Sequence, residues 1–505
     1  MRPTAHHRHR LVIALATTLL AATCGVARAS HLNPASPVPI PEDPGAGAVE
    51  QFVGTPAVPH RIRAKLPPRH PFMAPNGRSN IHNDAYQTDS YRQSGPLGRN
   101  MSRSSTFLAH ECASITFDSR DRLVTICVGL EAPVLAVIDP GTLQVLAQMD
   151  LPPRTPGGGG IFTDFSGGGY FYLDNRDRAV FSTTTRHIWV VPVTGGSGLA
   201  VERDYDLTGA VPQGDGIISA LPDWKGRIWF ASKQGVVGFV DPASGVVRSI
   251  ATREPIGNSF AVDRTGGVFM VTDRAMYRFD VGSGGEPKVS WRKGYANTGQ
   301  IKPGQTQAGS GTTPTLMGRR WVAITDNGDP MAIDVFRRRR SSHRHRIRHR
   351  RICHIPVFSK GAGNTDQSLI GINRSLVVEN NFGYAGPTAT EGGATTTPGL
   401  ERVRIKRTGH GCRRLWHSDE IAPSVVPKLS LAAGLVYTYT KPRRSDNEDA
   451  WYFTALDYRS GRTVYKRLAG VGLGFNNNYA PVTIGPDGAA YVGVLGGMVA
   501  LRDGS

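Results

Sequence analysis

Residues 226–250 read GRIWFASKQGVVGFVDPASGVVRSI. Three short runs of β-branched and aromatic residues, IWFAS, VVGFV and VVRSI, are separated by KQG and DPASG. The first kind of residue suits a pleated, half-buried strand; Gly, Asp, Pro and Ser supply the turns between strands. The unit therefore reads as strand, tight turn, strand, Asp-containing turn, strand. It recurs in both directions along the chain. Clear copies are VLAVIDPGTLQVLAQMD at 134–150 and GGVFMVTDRAMYRFDVGSG at 266–284. RWVAITDNGDPMAIDVF at 320–336 is another, resuming at CHIPVF, 353–358. GLVYTYTK with WYFTALDYRSGRTVYKRL covers 434–468, and GAAYVGVLGGMVALRD covers 488–503. Weaker copies lie at 170–196 and 375–405. Turn positions Asp139, Asp241, Asp280, Asp334, Asp457 and Asp503, with weaker counterparts near Pro192 and Arg404, mark eight units, mostly 39–54 residues apart.

Several short strands per unit, repeated every 40–50 residues or so, predict an all-β fold, a single β-propeller. Eight four-stranded blades are expected, with seven as the alternative count. One blade exposes two apolar faces and cannot stand alone; a ring buries blade against blade and removes long free edges. The last unit stops at its third strand, so a strand near 105–110, STFLAH, is expected to complete that sheet and close the ring.

Residues 455–466, ALDYRSGRTVYK, resemble the AALDxxTGxxxW hallmark of PQQ-like propeller repeats. VIDPGTL at 137–143 and VDPASG at 240–245 are similar. The resemblance spans roughly 105–505. It implies an eight-bladed ring of the kind used by quinoprotein dehydrogenases and by non-catalytic outer-membrane assembly factors. Tyr465 stands where the docking Trp is usual, and most repeats lack that Trp as well. The motif is structural: Asp and Thr or Ser tie the turn, and Gly supplies a positive φ. It speaks to fold rather than activity.

Outside the repeats the chain changes character. Residues 1–29 read as a signal peptide, with basic MRPTAHHRHR, an apolar core LVIALATTLLAA and a small-x-small site at Ala27-Arg28-Ala29. That core is shorter than the ~20 residues of a membrane span. Cleavage after Ala29 is expected, with a lipid anchor on Cys24 or an uncleaved anchor as alternatives. No later stretch approaches 18 consecutive apolar residues, so no transmembrane segment is expected after cleavage, and the protein is placed outside the cell, in the periplasm or in the envelope. Residues 30–104 are expected as a Pro-rich extended arm that packs on the propeller, in part without fixed structure over 30–78 and docked across a propeller face at 80–91, with 105–505 as the propeller. Export leads to an oxidising compartment, so Cys112, Cys127, Cys353 and Cys412 are expected as two disulfides. Of three connectivities, Cys112–Cys127 with Cys353–Cys412 is favoured, because the first pair flanks one strand-turn-strand.

The net charge of +19 looks like that of a nucleic-acid protein, but its distribution says otherwise. Four Arg lie in 1–29 and nine in 337–351, RRRRSSHRHRIRHRR, which leaves +6 for the other 461 residues. The Arg/His run belongs to a loop insertion at 337–352. Its self-repulsion and lack of apolar residues bar it from a core. Weak adhesion to an anionic polymer is the expected effect; no aromatic interleaves the run, so specific nucleic-acid binding is not.

In a propeller the innermost strands line an axial channel, so polar residues just before each unit are the ligand-channel candidates. They are Asn258, Ser259, Thr312, Thr313, Asp366, Ser368, Ser424, Lys428, Asn477, Asn478 and Tyr479. A second cluster, NIHNDAYQTDSY at 80–91, carries His82, Asp84 and Asp89; these and Lys428 are the acid–base candidates. The bland reading of both sets is backbone and water hydrogen bonding. No cysteine spacing matches a zinc site, and no metal site is read. No HExxH, GxSxG, Walker or EF-hand pattern occurs. Glu379-Asn380-Asn381 offers oxygens, but neighbours in a strand point to opposite faces. Asn373-Arg374-Ser375 is a glycosylation sequon. The expectation is a monomeric binding or scaffold propeller that takes a small molecule or envelope component at the channel, without a cofactor. The alternative is a propeller enzyme, either a quinoprotein-like oxidoreductase using PQQ with calcium or a lyase or lactonase.

Overall fold

A computed structural model describes residues 32, 37–129, 132–154, 166–194, 198–339 and 350–504. The expected signal peptide and residues 340–349 of the basic run lie outside the described residues. Eight antiparallel sheets follow one another along the chain, each at least four strands wide, and close into a ring. Almost no helix is present among the described residues, only three short 3-10 turns. No helix there is long and apolar enough to cross a membrane.

The unit at 226–250 supplies three of the four strands of blade 3: Ile228–Ser232, Val236–Val240 and Val247–Ala251, preceded by Ile217–Pro222. Burial orders them from the axis outward. Ile217–Pro222 is buried throughout, whereas Val247–Ala251 is mostly exposed. The Asp turn works as its residues dictate. Asp241 Oδ1 accepts the Ala243 N–H at 2.9 Å, the Gly245 N–H reaches the Asp241 carbonyl at 2.8 Å, and Gly245 has φ +73°. In blade 7 the Ser460 N–H and Oγ donate to Asp457 Oδ1 at 2.8 and 2.7 Å beside Gly461, φ +76°. Two of the marker residues sit elsewhere. Asp280 and Asp334 lie inside strands, Ala275–Val281 and Ala332–Arg337. Both strands run past the expected turn because strand neighbours, buried Arg278 for Asp280 and the more exposed Arg351 and His354 for Asp334, pair with the carboxylates in place.

The ring closes on the N-terminal side of the repeats. Ser102–Phe107, which begins three residues before the expected 105–110 and overlaps it, is the outer strand of blade 8, antiparallel to Gly497–Arg502. Cys112–Cys127 links the first two strands of blade 1, and Cys353–Cys412 ties the outer strand of blade 5 to that of blade 6.

The arm makes two passes around the ring axis. On the first, Phe52–Gly54 adds a strand to the rim of blade 7, and the His60 and Ile62 N–H groups bond the Ala433 and Leu431 carbonyls. The Asn373 side chain of blade 6 donates to the Arg63 carbonyl at 3.1 Å, and His70 packs on Trp224 of blade 3 at 4.0 Å between ring centroids. The second pass runs the other way, inside the channel. The N–H groups of Leu173, Val262, Leu316, Gly371 and Leu429 donate to the carbonyls of Ser79, Ala85, Tyr86, Thr88 and Asp89 at 2.8–3.0 Å. These donors belong to the inner strands of blades 2, 4, 5, 6 and 7. Ser90–Tyr91 pairs in parallel with Lys428–Ser430, and Gln93 Nε2 donates to the Ile484 carbonyl of blade 8. Inner strands as short as Tyr172–Leu173 and Ala261–Val262 would otherwise leave backbone groups without protein partners. The arm supplies them.

The flanks of the basic run enter the structure. Arg337 ends one strand of blade 5 and Arg351 begins the next. Arg338 and Arg350 are buried, contrary to the expectation that the run stays out of the core. Arg338 lies 4.9 Å over the Tyr86 ring and 3.6 Å from Asp263, and Arg350 lies 4.4 Å over the Trp291 ring. A guanidinium face stacks on aromatic carbon, which is how an arginine enters such a place.

Candidate functional site

The second pass of the arm places a charged network on the axis. His82 Nδ1 lies 3.0 and 3.1 Å from the two oxygens of Asp89, and Ser368 Oγ lies 3.3 Å from His82 Nε2. Lys428 Nζ donates to Asp89 Oδ1, which His82 also faces, and to the Ile81 carbonyl. All four side chains are buried. Burial alone would raise the Asp89 carboxyl, but His82 and Lys428 together hold it below its ordinary value, as an ion. Burial pulls the Lys428 ammonium down despite Asp89. Asp84 stands apart from this network. Its carboxylate accepts the Tyr86 N–H at 2.8 Å and the Thr88 hydroxyl at 2.5 Å, both within the arm, and burial pushes it up to about 7.

The other candidates form a polar belt at the N-terminal ends of the inner strands. Asn258, Asp366, Ser368 and Tyr479, with Ile81, His82, Ser114 and Tyr170, line an axial cavity of about 30 Å³. Asn258 donates to the Ser310 carbonyl at 3.2 Å and accepts from the Tyr170 hydroxyl at 3.2 Å. Asp366 accepts from the Thr306 N–H and hydroxyl at 2.8 and 2.7 Å, and burial lifts it to about 7. The rest turn to neighbours instead of the cavity. Ser259 bonds Ser219 at 2.7 Å, Thr312 accepts the Thr325 N–H at 3.0 Å, and the Thr313 N–H reaches Ser368 Oγ at 3.2 Å. Ser424 donates to Asn477 at 3.4 Å. Asn478 donates to Glu111 at 3.0 Å, a buried acid absent from the candidates, which burial lifts to about 8.

Ser368, His82 and Asp89 have the order and spacing of an acid–base relay. Two features count against that use. Lys428 already offsets the Asp89 charge that a relay would lend to His82. The room in front of Ser368 Oγ is that of one water molecule, not of a substrate carbonyl. PQQ, a tricyclic triacid, does not fit there either, and no Trp lines the cavity. The network is suited to locking the arm into the ring.

Larger room lies at the opposite mouth, between the two passes of the arm. A cleft of about 360 Å³ is walled by Leu66, Pro67 and Pro68 of the first pass, Tyr86 and Thr88 of the second, and Leu316 and Ile372 of blades 5 and 6. Lys65, Arg264 and Arg319 rim it, and no acidic residue lines it. None of these cations was a sequence candidate. Arg264 and Arg319 occupy the turns after the inner strands of blades 4 and 5, and only the ring brings those turns beside Lys65.

No family model matches the chain. An uncharacterized protein from Archaeoglobus fulgidus is 29% identical over 321 residues, 58% of this chain and 62% of that protein. This chain thus spans less than two thirds of the length of the curated relative it matches. Among solved structures, streptogramin B lyase aligns with TM-score 0.38 at 10% identity, over 80% of this chain and 98% of that one. BamB from Moraxella catarrhalis aligns with TM-score 0.37 at 11% identity, over 65% and 92%. At such scores nothing about activity transfers.

Proposed function

We propose that this chain is an exported, monomeric propeller of PQQ-like repeat type, acting as a binding or scaffold protein for an amphipathic anion of the cell envelope or its surroundings. The contrast between the two mouths of the axis carries the proposal. The cavity of about 30 Å³ beside the arm suits a water, whereas the cleft of about 360 Å³ falls in the range of ligand pockets. Three cations without an opposing acid attract a carboxylate, sulfate or phosphate, and the proline and leucine wall takes its apolar part. Two disulfides support the assignment to an oxidising compartment. The basic run adds unspecific, salt-sensitive adhesion to anionic polymer.

The test uses 8-anilinonaphthalene-1-sulfonate, an aromatic sulfonate whose emission rises on binding. The mature protein binds it, and Arg264→Glu with Arg319→Glu weakens binding by about tenfold, or ~1.4 kcal/mol, with Tm unchanged. Equal affinity in a folded double variant would remove the cleft as the binding site.

A further inference from the structure

Blade 5 brings together three side chains that the sequence keeps far apart. Asp334 lies in Ala332–Arg337, and the register sets it opposite His354 of Arg351–Pro356. Asp326 follows the end of Trp321–Thr325, the strand on the other side. One ligand atom from each lies within 4.8 Å of the other two. His354 Nδ1 is 2.8 Å from Asp334 Oδ1 and 3.8 Å from Asp326 Oδ2. Both carboxylates are fully buried, and the His354 side chain is 41% exposed.

The oxygens are not equivalent. Asp326 Oδ1 accepts the Gly328 and Ala332 N–H groups at 3.1 and 2.7 Å. Asp334 Oδ2 faces Arg351 Nη1 at 3.1 Å. These bonds fix both carboxylates; Asp334 Oδ1, 3.4 Å from Arg351 Nη1, makes its shorter contact with His354. Asp326 Oδ2 has no hydrogen-bond partner although it is buried and points at the same place. A buried carboxylate oxygen without a donor, beside a second buried carboxylate, calls for a cation.

We propose that Asp326, Asp334 and His354 bind a divalent transition-metal ion, zinc being the best match, through Asp326 Oδ2, Asp334 Oδ1 and His354 Nδ1. The two carboxylate oxygens are hard donors, and the borderline imidazole nitrogen beside them is what favours zinc over calcium. Ligands at 2.0–2.2 Å in a tetrahedron stand about 3.4 Å apart. The two separations at His354 Nδ1, 2.8 and 3.8 Å, bracket that value. Burial raises Asp326 to about 6, with Asp334 adding to the effect, and a metal would reverse this by favouring the ion. The cluster stands on the face that carries the long 295–310 loop, where Lys302 reaches the Gly328 carbonyl. A fourth position on the His354 side would be open to solvent, to water or to an anionic group of a partner.

Equilibrium dialysis of the untagged mature chain against zinc sulfate, with metal counted by mass spectrometry, tests the site. Wild type holds one tight equivalent above any weak binding by His343, His345 and His349, and its Tm rises with zinc. Asp326→Asn and His354→Ala each lose that equivalent and the Tm rise, whereas His417→Ala keeps both. His354→Ala changes a partly exposed side chain and decides alone should Asp326→Asn fail to fold. No tight equivalent in wild type, or one that His354→Ala retains, would overturn the assignment.

Discussion

Lys428 neutralises a buried Asp89 that His82 also faces, so the single residue decides whether the axis tolerates its charge. Lys428→Met is expected to cost about 3–5 kcal/mol, because it strands a buried carboxylate. Adding Asp89→Asn should recover part of that loss, and urea unfolding of the four forms measures the coupling. Asp84 works in the opposite sense. Its folded value of about 7 stands above its ordinary 3.8, so the native state keeps a proton that the unfolded chain has lost. Its contribution is therefore fully present below pH ~4, falls as pH rises towards ~7 and is level beyond, by on the order of 4 kcal/mol at most. Asp84→Asn should flatten the stability profile between those limits by one proton. A variant with the wild-type slope would show Asp84 to be ionised in the fold.

Turns give the element scale its own test. Gly245 and Gly461 close equivalent Asp turns with φ +73° and +76°. A Cβ on Gly245 meets nothing within 4 Å, whereas one on Gly461 would lie 2.5 Å from the Trp416 ring of blade 6. Gly245→Ala should cost about 1–2 kcal/mol from backbone strain alone, and Gly461→Ala clearly more, read as unfolding midpoints. Equal losses would mean that Trp416 does not dock blade 6 on blade 7. The strands around such turns were legible because each carries its own alternation and its own Asp and Gly. The inner strands of the other six blades, unlike those of blades 1 and 3, were not: two or three residues hold no period, and those that pair the arm find it more than eighty residues upstream of the first of them. The path of the arm along the inner strands was not legible because backbone pairing and polar side chains, not an apolar stripe, hold it. Buried Arg338 and Arg350 escaped for a similar reason, since the aromatic rings and Asp263 that receive them come from other parts of the chain.

At the scale of the molecule, eight similar blades make a ring whose axis is occupied by the chain's own N-terminal arm. Charge is unevenly spread: much of the +19 sits in 1–29 and in the run at 337–351, and the other 461 residues are nearly balanced. The proposed binding site is then the mouth where the two passes of the arm part, not the middle of the channel. Native-state hydrogen exchange at the Val262, Leu316, Gly371 and Leu429 amides tests this most directly, because each donates to an arm carbonyl. With the arm seated, these amides exchange only with global unfolding, as slowly as those between Ile228–Ser232 and Val236–Val240 in blade 3. Exchange in seconds at those four positions, with the blade 3 amides still protected, would mean an open channel and would contradict the account.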